Sequence, residues 1–189
     1  MDKVKLAPAP YLFPMPTTVV GANVSGRPNY LAAAFCGIVD YKPPTVAVAL
    51  SAKHHTCRGI RENGTFSVNI PSTAQVVATD YVGIYSGDKV DKSRVFDAFY
   101  GELKSAPMAR ECPLNLECRL TREIALASDV LFLGEIVRVY ASPAALTDGK
   151  PDIVKLDPIL FGIEDSGYYR LGKRFAGAWE VGETWRAAE

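Results

Sequence analysis

The residues best placed to do chemistry lie between Asn29 and Thr56, in the stretch NYLAAAFCGIVDYKPPTVAVALSAKHHT. Ser51, Lys53, His54, His55, Thr56 and Arg58 form a basic, hydroxyl-bearing cluster where a short helical pattern, CRGIREN, begins. A helix N-terminus carries partial positive charge and free N–H donors, so it favours anions. Here cations stand at that end and Glu62 near the other. Each such placement costs roughly 0.3–1 kcal/mol if exposed. A bound phosphate reverses the balance, accepting from the free N–H groups, Ser51 and Thr56 and pairing with Lys53 or a histidine. A solvated basic turn with screened charges is the other reading, and these residues alone leave both open. Upstream, Ala32, Ala33 and Ala34 would let a flat molecule lie against bare backbone.

At 189 residues the chain makes one good-sized domain, or a domain with appendages. Its 21 basic and 21 acidic residues cancel, which argues against a nucleic-acid partner. No apolar run approaches the ~20 residues that cross a bilayer, and the first turns of chain hold no apolar leader segment. The expectation is a cytoplasmic protein with no membrane contact. Cys36, Cys57, Cys112 and Cys118 form no Cys-x-x-Cys pair, and the two histidines are adjacent, which is poor spacing for a metal. The cysteines read as free thiols, with Cys36 a small core filler.

The elements that must position this stretch follow from breakers and periodicity. Residues 1–16 are a proline-punctuated extended arm. Thr17 to Val24 reads as a strand, Ser25-Gly26-Arg27-Pro28 as a turn, and Asn29 resumes an extended path. Gly21 and Gly26 have P-loop spacing, but Arg27-Pro28 follows where Lys and Ser/Thr are needed, so that motif is rejected. No G-x-G-x-x-G occurs. Thr45 to Ser51 predicts a buried strand and His55 to Glu62 a short helix stopped by Asn63-Gly64. Thr65 to Ile70 is a further strand. Ser72 caps a helix through about Ser86. Gly87 to Arg94 is a polar loop whose Lys89 and Lys92 read as solvated. Leu114 to Thr121 and Leu131 to Tyr140 are long strands, the first cleanly alternating. Asp148 to Pro151 is a surface turn. Strands joined by turns, with few helices, predict an antiparallel barrel.

The order P-T-x-V-V, G-R-P-N-x-x-x-A-A, K-P-P-x-V-x-V-x-L and T-x-x-x-I-x-E-N-G-x-F-x-V-N-I-P resembles the flavin reductase-like, FMN-binding split-barrel family, and most of all its flavoredoxin-like members. The later D-Y-V-G-x-x-S-G-x-x-V-D-K, L-E-C-R-L and F-L-G-E-I-V-x-V extend the likeness from about Pro14 to Tyr169. The resemblance implies a mainly β, six-stranded antiparallel Greek-key split barrel with a few short helices. It would occupy residues 17–170, between the arm and a 171–189 tail. It further implies a homodimer with one FMN per subunit near the interface. Asn29, the Ala32–Ala34 backbone and Cys36 would line the flavin, and Phe35 would shield the ring. Ser51, Ala52, Lys53, His55 and Thr56 would hold the phosphate, with His54 close by. Lys92 would reach the flavin or phosphate from its loop, and Phe161 would pack on the ring. Asp129 stands where flavoredoxin-like proteins can carry a histidine, so no proton donor is assigned there.

The cofactor would carry the redox chemistry, so no catalytic acid, base or nucleophile is required. The activity implied is an NAD(P)H-dependent flavin or ferric reductase. The alternatives are an FMN electron carrier reduced by a protein partner, and a barrel holding haem through His54 or His55.

Overall fold

The computed structural model describes residues 2–186. The strands are β1 (Met15–Pro16), β2 (Thr18–Val24), β3 (Arg27–Ala33), β4 (Cys36–Tyr41) and β5 (Pro44–Ser51). Helix α1 (His55–Asn63) leads to β6 (Thr65–Ile70), and a capped turn leads to α2 (Val76–Ile84). After the short β7 (Ala98–Phe99) and β8 (Met108–Ala109) come the long β9 (Leu114–Ala125) and β10 (Asp129–Ala141). The chain then forms β11 (Leu146–Thr147), β12 (Lys150–Pro151), α3 (Ile153–Leu156), β13 (Leu160–Gly162) and β14 (Gly167–Tyr169). No described helix is long and apolar enough to cross a membrane.

The main sheet is antiparallel, in the order β3-β2-β6-β9-β10-β5-β4. The mainly β split-barrel expectation is met, but this sheet has seven strands where six were expected. The extra edge strand is β4, whose residues after Cys36 are all exposed. With no buried face it carries no inside/outside alternation for the sequence to display. The expected strands and helices otherwise stand within a few residues of their sequence bounds.

Strand β2 is buried nearly throughout because it has a core on each face. One core gathers Val20, Val48, Ile60, Phe66 and Phe132. The other gathers Val19, Tyr30, Val82 and Phe96 beneath α2. Gly134 belongs to the first: a Cβ there would collide with the Phe66 ring. Gly64 ends α1 at φ 63°, its N–H donating to Ile60 O at 2.9 Å. Glycine takes that left-handed conformation without a Cβ penalty.

The long crossing from α2 to β9 is fastened from below by buried polar groups. Asn69 Oδ1 accepts from Ala109 N at 3.0 Å and Asn115 Nδ2 at 2.8 Å. Ser67 Oγ donates to Pro107 O at 2.5 Å. Fully buried Glu117 accepts from the N–H groups of Glu102 and Leu103. Such bonds offset the cost of burying these polar groups, and they fasten the stretch between Glu102 and Asn115 to β6 and β9.

Candidate functional site

Helix α1 starts where β5 ends. His54 is its N-cap residue, with extended backbone (φ −68°, ψ 134°) and no side-chain cap. The two histidines diverge from this point. His55 Nδ1 lies 2.5 Å from Asp88 Oδ1, across the loop that follows α2. Thr56 is buried and its Oγ1 accepts from Asn29 Nδ2 at 2.8 Å, tying α1 to β3. Gly87 lies against the same pair; a Cβ there would collide with Asn29 Oδ1 and His55 Cδ2.

Lys92 is the least expected group. Its side chain is not solvated as the loop composition suggests: the residue is only 3 % exposed. Its Nζ donates to Tyr30 O at 3.0 Å and Val82 O at 2.7 Å. An ammonium has three donors, and both acceptors here are neutral carbonyls. None of the ion pairs among the described residues involves it. Burial pushes its pKa down to about 8. A buried cation held by neutral groups is an environment that an incoming anion would stabilise.

Two clefts open side by side around His54. One, of about 110 Å³, is lined by His55, Thr56, Gly87 and Lys92 with Leu31 and the C-terminal end of α2. His55 and Lys92 also reach a more open polar cleft of about 240 Å³ beside Asn29 and Arg27. The second neighbour of His54, about 350 Å³, is lined by Ala32, Ala33, Ala34, Phe35, Ala49, Leu50, Ser51, Asp129, Phe161 and Ile163. It is mostly apolar, lined by the alanines of β3 and by Phe161. Strand β13 brings Phe161 there by pairing with Met15 of β1. Strand β10 brings Asp129 there by pairing with Ser51. His54 is the one described residue that lines both the 110 Å³ and the 350 Å³ cleft.

The expected site residues therefore divide. Ser51, Phe35, Phe161 and Ala32–Ala34 meet at the apolar cleft; His55, Thr56 and Lys92 meet at the polar one, and Asn29 braces Thr56. Cys36 lies one step outside, in an adjoining apolar cleft that shares Ala34 and Phe35. Burial pushes its thiol up to about 11, so it stays protonated at neutral pH. Lys53 and Ala52 are exposed in the β5–α1 turn and line none of these clefts. The charges along α1 are also less anomalous than its sequence suggests. Glu62 accepts from Ser25 N at 3.1 Å and pairs with Arg58 at 2.5 Å, and Asp88 supplies an acidic partner at the helix start. Sequence reasoning placed His54 near the phosphate without a contact of its own and gave no role to Gly87 or Ile163. Two adjacent histidines offer no sign of which one turns inward, and Gly87 sits in a polar run that reads as an ordinary loop.

Residues 11–162 match the model of the flavin reductase like domain family. The chain superposes on the flavoredoxin of Methanosarcina acetivorans with a TM-score of 0.95 and 43% identity, covering 97% of this chain and 99% of that one. It superposes on the flavoredoxin of Desulfovibrio vulgaris (Miyazaki F) with a TM-score of 0.90 and 38% identity, covering 96% and 100%. A protein of uncharacterised function from Archaeoglobus fulgidus is 32% identical over 145 residues, 76% of this chain and 81% of its own length.

Proposed function

This chain belongs to the flavin reductase-like domain family, and from that premise we propose that it binds FMN and acts as an NAD(P)H-dependent flavin or ferric reductase. The observation that carries the reading is the pair of clefts joined at His54, one cationic and hydroxyl-lined, the other mostly apolar. FMN has ends of those two kinds. When bound, it would supply the redox chemistry, taking hydride from the nicotinamide and passing electrons to an acceptor.

The chain's own residues have supporting tasks. Thr56, His55 and the third Lys92 donor would hold the phosphate, with Ser51 at the junction. The Ala32–Ala34 backbone and Phe35 would take the ring from one side and Phe161 from another, excluding water from it. Gly87 keeps the polar cleft open. Asp88 is a like charge to the phosphate, so His55 would exchange that carboxylate for the ligand.

A homodimer is part of the same proposal. The chain exposes 12003 Å², whereas a folded monomer of its mass is expected to expose about 8,900 Å². The excess, roughly 3,000 Å² per chain, amounts to roughly 6,000 Å² over two chains, the upper end of what an obligate dimer covers. Edge strand β4 presents Ile38 (64 % exposed) and Tyr41 (83 % exposed), and it runs directly on from Phe35 at the ring-side cleft. A cytoplasmic setting and the division into arm, barrel and tail are also proposed; residues 187–189 of the tail lie outside those described.

A second reading, an FMN electron carrier reduced by a protein donor, draws support from the likeness to the two flavoredoxins. Anaerobic mixing of FMN-loaded protein with NADH or NADPH separates the two. Rapid, saturable bleaching of the flavin absorbance is expected. No bleaching with either nucleotide would remove the reductase reading, and reduction by a reduced ferredoxin alone would establish the carrier.

A further inference from the structure

His54 occupies a place that its neighbours in sequence do not. It is shared by the cationic cleft and the apolar one, so a ligand spanning both must pass along it. Its imidazole does no work for the fold. It caps no helix N–H, and its backbone alone ties the turn, through His54 N to Ser51 O at 2.9 Å. The residue as a whole is exposed, while its imidazole is partly buried against the clefts it lines.

The charged and titratable groups around it come from every neighbouring element. Lys92 faces it from the loop after α2, and Asp129 from β10. Tyr85, at the end of α2, lines the same cleft. His55 follows it in the chain and is already engaged with Asp88.

Resting on the FMN reading above, we propose that His54 is a ligand-contacting residue that takes up a proton when FMN binds, coupling the occupancy of this site to pH. Before binding, partial burial and then the Lys92 charge hold the imidazole below its ordinary range, with Asp129 opposing them weakly. A neutral ring is the consequence at pH 7. A phosphate beside Thr56 and Lys92 reverses the local sign, since an anion within about 4–6 Å favours the charged imidazole. The proton comes from solvent and no bond to the ligand is formed. A group whose pKa rises on binding strengthens that binding as pH falls through the window between its bound and free values.

The experiment compares FMN affinity of the intact wild-type protein and His54→Gln from pH 8 to pH 6, by quenching of flavin fluorescence. Titration of the phosphate itself, near pH 6, is common to both proteins and cancels in their ratio. The ratio of dissociation constants, variant over wild type, is expected to grow at least about fivefold as pH falls, up to the limit of one proton per site. A ratio constant within twofold, with FMN still bound, overturns the coupling while leaving the FMN reading intact. Absence of FMN binding by the wild type at every pH overturns the FMN reading and the coupling together. Side-chain NMR of His54 gives a second readout that needs no variant. Its pKa is expected to rise on adding FMN and not on adding riboflavin, which lacks the phosphate; an unchanged or lowered value with FMN refutes the proposal.

Discussion

Replacing Lys92 with Met separates a ligand-binding lysine from a structural pin. The two roles differ in where the energy appears. Burial lowers the Lys92 pKa from 10.5 to about 8. Carrying that charge in the folded state therefore costs about 3 kcal/mol at neutral pH. Met removes the cost and keeps the length of the apolar stem. It also strands the Tyr30 and Val82 carbonyls, which now accept from Nζ at 3.0 and 2.7 Å, at about 1–3 kcal/mol each. These terms oppose one another and are similar in size, so the stability of the ligand-free protein is expected to change by less than about 2 kcal/mol. FMN binding has no such compensation. Losing a charged donor to phosphate is worth about 1.5–3 kcal/mol, a roughly 10- to 150-fold weaker affinity.

Lys92→Met should also flatten two pH trends. In the wild type, FMN affinity falls as pH rises through about 8, because the ammonium is lost there. The ligand-free protein meanwhile gains stability between about pH 8 and 10.4, where the unfolded chain holds a proton that the folded one does not. Flavin fluorescence titration and chemical denaturation across pH 7 to 10 read both. A variant destabilised by more than about 4 kcal/mol that binds FMN as tightly as the wild type would refute the reasoning and make Lys92 a pin for the loop.

Three further perturbations test other parts of the site. Gly87→Ala places a Cβ against Asn29 Oδ1 and His55 Cδ2; it should cost about 1–3 kcal/mol of stability and weaken FMN binding, read by thermal unfolding and titration, whereas unchanged values would mean that the loop yields freely. Thr56→Val removes the acceptor of the Asn29 Nδ2 bond at 2.8 Å; a loss of about 1–3 kcal/mol in stability is expected together with weaker FMN binding, and loss of stability alone would leave Thr56 a brace. Ile38→Glu with Tyr41→Glu puts charge on the exposed face of β4; light scattering should show a dimer becoming a monomer, and an unaltered dimer would move the interface elsewhere.

The parts of this molecule legible in its sequence are those where burial and chain breakers agree. Strand Thr65–Ile70 lies between Gly64 and Pro71, and the structure starts and stops it at the same residues. The Ser72 cap is legible because a hydroxyl and Gln75 at the third position satisfy each other's backbone. Strand β4 is illegible for the opposite reason: its apolar residues face outward, so burial leaves no pattern in it. Lys92 is the sharper lesson. Its loop composition is that of a solvated segment, and the acceptors that hold the lysine inside, Tyr30 O and Val82 O, lie on β3 and α2, outside its own loop. Lys53, a cation that fits the phosphate pattern in sequence, is exposed in the turn beside His54 and is not among the residues lining the clefts. Pairings across the chain, such as Ser51 with Asp129 and Met15 with Phe161, have no local signal at all.

The most direct measurement is a titration of the purified protein, stripped of any bound flavin, with FMN and in parallel with riboflavin. The two ligands share the ring and differ at the phosphate. One FMN per chain is expected, with a quenched and shifted flavin spectrum, and riboflavin should bind at least about tenfold more weakly. Equal affinity for the two would contradict a phosphate seat at Thr56 and Lys92, and failure of both to bind would contradict the flavin site altogether.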